Sequence, residues 1–212
     1  MTFAREAWPF VLPFALLAVG LGLTGRYPAA AAALVVAIAV LLFFRIPNRR
    51  FEGGIAAVLA AADGRITLVA ETQAQELGPG RYHHVVTFLS VFNVHVQRAP
   101  VSGEVIESRY TPGRKVAAFR ADAGDVNENH LTVIRRDNGD LIGMRQVAGL
   151  LARRVVAYPK IGDRIERGQI IGLIKFGSRV DLFFPYTYHN LAARGQRVET
   201  GLTVIGETPA EP

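Results

Sequence analysis

Residues Gly162-Asp163-Arg164-Ile165-Glu166-Arg167-Gly168-Gln169-Ile170-Ile171-Gly172 place a glycine turn, a short polar–apolar step, a second glycine turn and an apolar run in direct succession. A turn leading at once into a strand recurs loosely at Asp63-Gly64-Arg65-Ile66 and at Ser102-Gly103-Glu104-Val105. Beyond residue 50 the apolar stretches are short, bounded by Gly, Pro, Asp and Asn, and lack sustained helical spacing. The alternation predicts strands over 66–71, 82–89, 103–108, 131–136, 141–147 and 154–157, and a strand-like run over 170–174. Asp137-Asn138-Gly139-Asp140 predicts a hairpin between two of them. Residues 54–62 read as irregular or briefly helical. The fold expected is mainly β: a curled β-sandwich or barrel-like sheet assembled from repeated half-motifs.

The Gly-Asp…Gly-Gln pattern resembles that of biotinyl- and lipoyl-like sandwich domains. That resemblance implies one function, a non-enzymatic membrane-tethered carrier with Lys175 bearing a linked cofactor. Such carriers present their lysine at an exposed hairpin tip, whereas Lys175 continues an apolar strand into Phe176-Gly177-Ser178.

Residues 1–50 have a different character from 51–212. Two runs, 8–24 and 29–44, are almost wholly apolar and are joined by Gly25-Arg26-Tyr27-Pro28. Each approaches the ~17–25 residues needed to cross a bilayer, which predicts a tight hairpin of two membrane helices. Arg5 precedes the first run and Arg45, Arg49 and Arg50 follow the second. By the positive-inside rule both ends, and so the main domain, face the cytoplasm at the cell (inner) membrane. A cleaved signal peptide is the competing reading, and the second apolar run with its arginine flank opposes it. The chain carries 24 Lys+Arg against 18 Asp+Glu, a formal charge of +6. That excess suits anionic partners; beside an apolar hairpin the partner is an anionic membrane surface, not nucleic acid. With no cysteine, disulfides and thiolate metal sites are excluded. The five histidines lack ligand spacing and neighbouring carboxylates, so no metal is expected.

Lys175-Phe176-Gly177-Ser178-Arg179-Val180-Asp181-Leu182-Phe183-Phe184-Pro185 carries the chemistry. Gly177 leaves its carbonyl carbon open to the hydroxyl of Ser178. Attack would move the chain from nitrogen to oxygen; elimination of the ester would leave dehydroalanine, which hydrolyses to a pyruvoyl group. A ketone of that kind is an electron sink for amine substrates. Such a rearrangement needs a group that handles protons near neutrality, and His95 is the residue best suited.

Three segments, Ala61-Ala62-Asp63-Gly64-Arg65-Ile66, the block from Phe88-Leu89-Ser90-Val91-Phe92-Asn93-Val94-His95-Val96-Gln97-Arg98-Ala99-Pro100 to Val101-Ser102-Gly103-Glu104-Val105, and the Gly-Ser segment, together resemble the short, proenzyme-type phosphatidylserine decarboxylases. The resemblance covers about residues 45–208. It implies self-cleavage between Gly177 and Ser178 into a β chain, 1–177, and an α chain, 178–212, that stay together as a heterodimer, with higher oligomers open. It implies a covalent pyruvoyl cofactor from Ser178 and decarboxylation of phosphatidylserine to phosphatidylethanolamine, with an ether-linked serine phospholipid as an alternative substrate. His95 would move protons and Asp63 would orient it in a Ser–His–Asp-like arrangement. Long bacterial members have a second histidine where this chain has Arg98, which could instead hold the anionic substrate. Phe183 and Phe184 read either as core strand residues or as a lip admitting acyl chains. Of His83 and His84, which point to opposite faces of a strand, at most one should matter. His130, in an Asn/Glu-rich turn, is expected to be structural, and His189 interfacial.

Overall fold

The computed structural model describes residues 1–114, 116–118, 120, 122–150, 154–175 and 178–209. Contacts divide the chain into two units, Met1–Asn48 and Arg49–Pro212.

In the first unit, α1 (Trp8–Leu23) and α2 (Tyr27–Phe43) form an apolar hairpin. Each opens with proline in its first turn, where a missing N–H costs nothing. Gly25, with φ of 74°, supplies the left-handed turn between them. The strands β1 (Thr2–Phe3) and β2 (Arg45–Ile46) pair and tie the open ends together. Leu16, Leu23, Val19, Val35 and Ile38 stand outward, so this unit exposes most of its large apolar side chains, with Val11, Phe43 and Phe44 buried. The helical stretch Arg5–Leu23 has the length and composition to cross a membrane. Nineteen residues at 1.5 Å each give about 28 Å, close to the ~30 Å hydrocarbon core. The apolar helix after it, Tyr27–Phe43, has 17 residues.

The second unit is built from β3 (Ala57–Leu59), β4 (Gly64–Thr72), β5 (Tyr82–Leu89), β6 (Val96–Arg98), β7 (Gly103–Thr111), β8 (Asn129–Arg135), β9 (Leu141–Ala148), β10 (Val155–Ala157), β11 (Arg164–Ile165), β12 (Ile170–Ile174), β13 (Ser178–Pro185), β14 (His189–Asn190), β15 (Arg197–Val198) and β16 (Val204–Glu207). A short helix, α3 (Ala123–Val126), lies in the excursion between β7 and β8. Eight strands form one antiparallel sheet in the order β11-β7-β8-β9-β13-β5-β4-β15, flanked by the small sheets β10-β12-β6 and β14-β16-β3. The predicted strands are present to within a few residues; residues 57–59, expected to be irregular or helical, form β3 instead. A run of three apolar residues carries no alternation to be read locally, and β3 is recognised by its pairing with β16.

The pairing reveals a nested duplication. Strands β3–β5 with β13–β16 make one half-motif, and β6–β12 make the other. Arg197↔Arg65 and Val198↔Gly64 in the first match Arg164↔Glu104 and Ile165↔Gly103 in the second. The slip between Val204 and Gly206 matches that between Ile170 and Gly172. The turn bonds agree as well: Ala60 N–H to Thr203 O and Ala99 N–H to Gln169 O are both 2.8 Å. Gly64 and Gly103 share φ values of 158° and 159°, and a Cβ on either would collide with the carbonyl of Phe88 or Arg135. The Asp63 and Ser102 turns are therefore true copies. The turn at 162–165 is not a third copy but pairs with the second, and its own counterpart is at 195–198. That last unit lacks the Gly-Asp step, so no sequence pattern marked it.

The halves are nested rather than consecutive. In the second half, β8 returns to β9 through 136–140, where Arg136 donates its amide to Asp140 O at 2.9 Å and Gly139 has φ of 88°. In the first half, β5 pairs with β13 in the same way, Leu89 opposite Ser178, but the connection between them is the entire second half. Ser178 thus stands where a hairpin turn would close. Both halves share one core, with Ile66, Leu89, Ile134, Ile142, Met144, Ile171, Ile174, Phe184 and Ile205 enclosed in it.

Candidate active site

Ser178 opens β13, a central strand hydrogen-bonded on both sides, opposite Leu89 on β5 and Ala148 on β9. Strand alternation sends Ser178, Val180, Leu182 and Phe184 to the core face and Arg179, Asp181 and Phe183 to the other. The Ser178 side chain is fully buried, and its Oγ has no hydrogen-bond partner among the described residues. A buried hydroxyl without a partner costs about 1–3 kcal/mol. Gly177 and Phe176, the residues before it, lie outside the described residues.

His95 reaches this region through β12. Ile174 donates its amide to His95 O at 3.2 Å, and Gln97 Nε2 donates to the same carbonyl at 3.0 Å. Gln97 in turn accepts from Gln146 of β9 at 2.8 Å, so a buried glutamine pair pins β6 to the large sheet. From Ile174 to Ser178 is four peptide units, at most about 14 Å of chain. The imidazole is buried, and its Nδ1 lies 2.9 Å from Asn93 O. A carbonyl only accepts, so Nδ1 carries the proton and Nε2 of the neutral ring is the basic nitrogen. Asn93 is itself fixed, its Oδ1 accepting from Ser90 N–H at 2.9 Å and Ser90 Oγ–H at 2.7 Å.

Asp63 is engaged elsewhere. Arg49 donates from both terminal nitrogens to the two carboxylate oxygens, and Thr200 N–H donates to Oδ1 at 2.7 Å. Among the described residues it is the Asn93 carbonyl that meets His95 Nδ1, whereas Asp63 sits in a separate cluster with Arg49 and Arg98. Arg98 is buried on β6, donates from its guanidinium to Gly168 O at 2.7 Å, and donates its backbone amide to Ala61 O at 3.2 Å. Burial and the nearby Arg49 lower the Arg98 pKa, while Asp63 raises it.

On the far face of β13, Arg179 makes a two-pronged ion pair with Asp181, with Nε–Oδ1 at 2.8 Å and Nη2–Oδ2 at 2.9 Å. His84 Nε2 lies 3.5 Å from Asp181 Oδ2. Burial pushes the Asp181 carboxyl up, but His84 and Arg179 outweigh it and hold the group below the usual carboxylate range. Arg179 also donates to Arg120 O at 3.0 Å, and a Cβ on Gly124 would run into its guanidinium, so the excursion carrying α3 closes over this pair. Asn127 donates to Ala148 O at 2.7 Å and Glu128 Oε1 accepts from Val155 N–H at 3.1 Å, which fixes the β9 strand beside Ser178.

The remaining residues have structural placements. Phe184 lies in the main core and Phe183 in a smaller cluster with Leu77, Tyr82, Leu131 and Val133. They are five and six residues along β13 from Ser178, roughly 17–20 Å, and enclosed, so packing is their part and they form no lip beside Ser178. His83 bonds Tyr188 O at 3.1 Å and His84 faces Asp181, on opposite faces as expected. His130 packs against Ser108 Oγ at 3.0 Å, and burial lowers its pKa. Among the described residues no cluster could hold a metal ion. Arg49, Asn93 and Thr200 went unread in the sequence, where Arg49 counted only as a charge flanking the hairpin.

A buried serine hydroxyl thus opens a central strand, and a buried histidine is held through its carbonyl to the strand before it. The family model described as phosphatidylserine decarboxylase matches residues 36–206. A phosphatidylserine decarboxylase proenzyme of Symbiobacterium thermophilum is 43% identical over 206 residues, covering 97% of this chain and 95% of its own. The proenzyme of Rhodococcus jostii is 42% identical over 206 residues, 95% of this chain and 87% of its own. That of Trichlorobacter lovleyi is 42% identical over 179 residues, 84% and 78%. The chain belongs to the phosphatidylserine decarboxylase family.

Proposed function

We propose that this protein is a proenzyme that cleaves itself between Gly177 and Ser178 and then decarboxylates phosphatidylserine to phosphatidylethanolamine. The observation that carries the proposal is the buried Ser178 Oγ at the first residue of β13, which has no hydrogen-bond partner among the described residues. Ser178 Oγ–H gives up its proton as Oγ bonds to the Gly177 carbonyl carbon and the C–N bond breaks, forming an ester and a free amine. Loss of the Ser178 α-proton then expels the Gly177 carboxylate, and one water replaces the nitrogen, released as ammonia. The net change is one water consumed, one ammonia released, and two chains, 1–177 and 178–212. His95 Nε2 is the proton acceptor and donor suited to these steps, because Asn93 holds the Nδ1 proton away.

The chains remain associated, since β13 is held by β5 and β9, and β15 and β16 by β4 and β3. The residues present fit a pyruvoyl group at position 178: the buried hydroxyl that would form it has no hydrogen-bond partner among the described residues. The ketone supplies an acceptor for the electron pair released as carbon dioxide leaves an amine-linked substrate. His95 then protonates the α-carbon, and the glutamine pair keeps it in register. Arg98, on the strand that follows His95, is the cation we assign to an anionic group of the headgroup. The apolar hairpin keeps the site at the membrane that contains its substrate, with the domain on the cytoplasmic side. Against the carrier reading, Lys175 is half-buried, with its amide bonded to Arg154 O at 3.2 Å. In the test, Ser178→Ala is reconstituted with phosphatidylserine vesicles. The expected result is one uncut chain and no carbon dioxide release. Lipid turnover by that variant would refute the proposal.

A further inference from the structure

The duplicated architecture contains an internal control for Asp63. Its counterpart in the second half is Ser102, whose Oγ accepts the amide of Arg167 at 2.9 Å just as Asp63 Oδ1 accepts the amide of Thr200 at 2.7 Å. A neutral hydroxyl therefore suffices to close this turn, and the fold does not require a negative charge there. The charge answers to Arg49, whose side chain is only 11% exposed, donates to both carboxylate oxygens, and reaches Thr200 O at 3.2 Å and Glu199 at 3.6 Å. The Asp63 turn holds β6 through Ala61 O, and β6 carries Arg98 and, just before it, His95. Arg49 is also the first residue of the second unit, where the chain leaves the apolar hairpin.

We infer that Arg49 is a positioning residue for the reactions at Ser178. It acts through Asp63, fixing the turn and β6, the strand that carries Arg98 and directly follows His95. A two-pronged guanidinium–carboxylate pair constrains direction as well as distance, which a lysine cannot reproduce. The inference rests on the self-processing reading.

The test uses full-length protein in detergent micelles, following processing by intact mass against time. Arg49→Gln should process at least 10-fold more slowly than wild type, Arg49→Lys at an intermediate rate, and Arg50→Gln, altering an exposed neighbour, at the wild-type rate. Asp63→Ser, which imports the residue used in the other half, should fold and slow processing similarly. The double variant Arg49→Gln/Asp63→Ser should be no slower than the slower single variant, because the two act as one unit. A merely structural Arg49 would lower the melting temperature without this coupling in rate. Wild-type processing by Arg49→Gln, or multiplicative losses in the double variant, would overturn the inference. If Arg49→Gln does not fold, Arg49→Lys and Asp63→Ser decide: wild-type rates in either overturn it. A wild-type protein that never cleaves would instead defeat the underlying reading.

Discussion

Replacing Asp181 by Asn keeps the shape of the side chain and removes its charge from the Arg179–Asp181–His84 cluster. Asp181 is 1% and Arg179 8% exposed, so the guanidinium cannot turn to solvent, and the closed excursion over it blocks a new rotamer. Breaking one partner of a buried pair costs about 3–5 kcal/mol, because the remaining charge stays desolvated. In a unit of this size each 1 kcal/mol lowers the melting temperature by roughly 2–4 °C, so a fall of about 6–20 °C is expected. Differential scanning fluorimetry of wild type and Asp181→Asn reads it directly. Arg179→Met/Asp181→Leu should recover most of the loss, since a packed apolar pair replaces the ionic one. Processing should slow in Asp181→Asn, because Arg179 adjoins Ser178 and its register fixes the start of β13. A change below about 1 °C, or a double variant worse than the single, would refute the account of this face of the strand.

His95→Gln should slow processing about 10²–10⁴-fold with little change in melting temperature, which timed gel analysis would show. Ser178→Ala removes a buried hydroxyl that has no hydrogen-bond partner among the described residues, so the uncut variant should resist urea at least as well as uncut His95→Gln protein. The His130 pKa is lowered by burial, so the unfolded chain takes up that proton first as pH falls. The associated stability is present above the unfolded value of about 6.5 and is lost as pH drops below it. His130→Gln should flatten the melting-temperature profile between about pH 7 and pH 5. Gly124→Ala should destabilise the excursion over β13, since its Cβ would meet the Arg179 guanidinium and approach Asp181 Oδ2 to 3.0 Å, and limited proteolysis between β7 and β8 would report it.

Much of the architecture was legible because strand alternation and glycine turns are local signals. The strands at 82–89 and 170–174, the 137–140 hairpin and the two apolar helices follow from spacing alone. The nesting was not legible, because pairing of β5 with β13 joins residues about ninety positions apart and leaves no local mark. The site was half legible. Ser178 and His95 stand out by chemical type, whereas the groups that meet His95 and Asp63 are ordinary by type: a backbone carbonyl of Asn93 for His95, and for Asp63 an amide of Thr200 and an arginine that hydropathy assigns to a membrane flank. Asp63 shows the difficulty from the other side, as its sequence neighbours could not reveal that Arg49 holds it.

The most direct measurement is the intact mass of freshly purified protein that is turning over lipid. The account requires two chains, of 177 and 35 residues, the shorter one lighter by one ammonia than a peptide beginning with an unmodified Ser178. A single active chain of 23.0 kDa would contradict it.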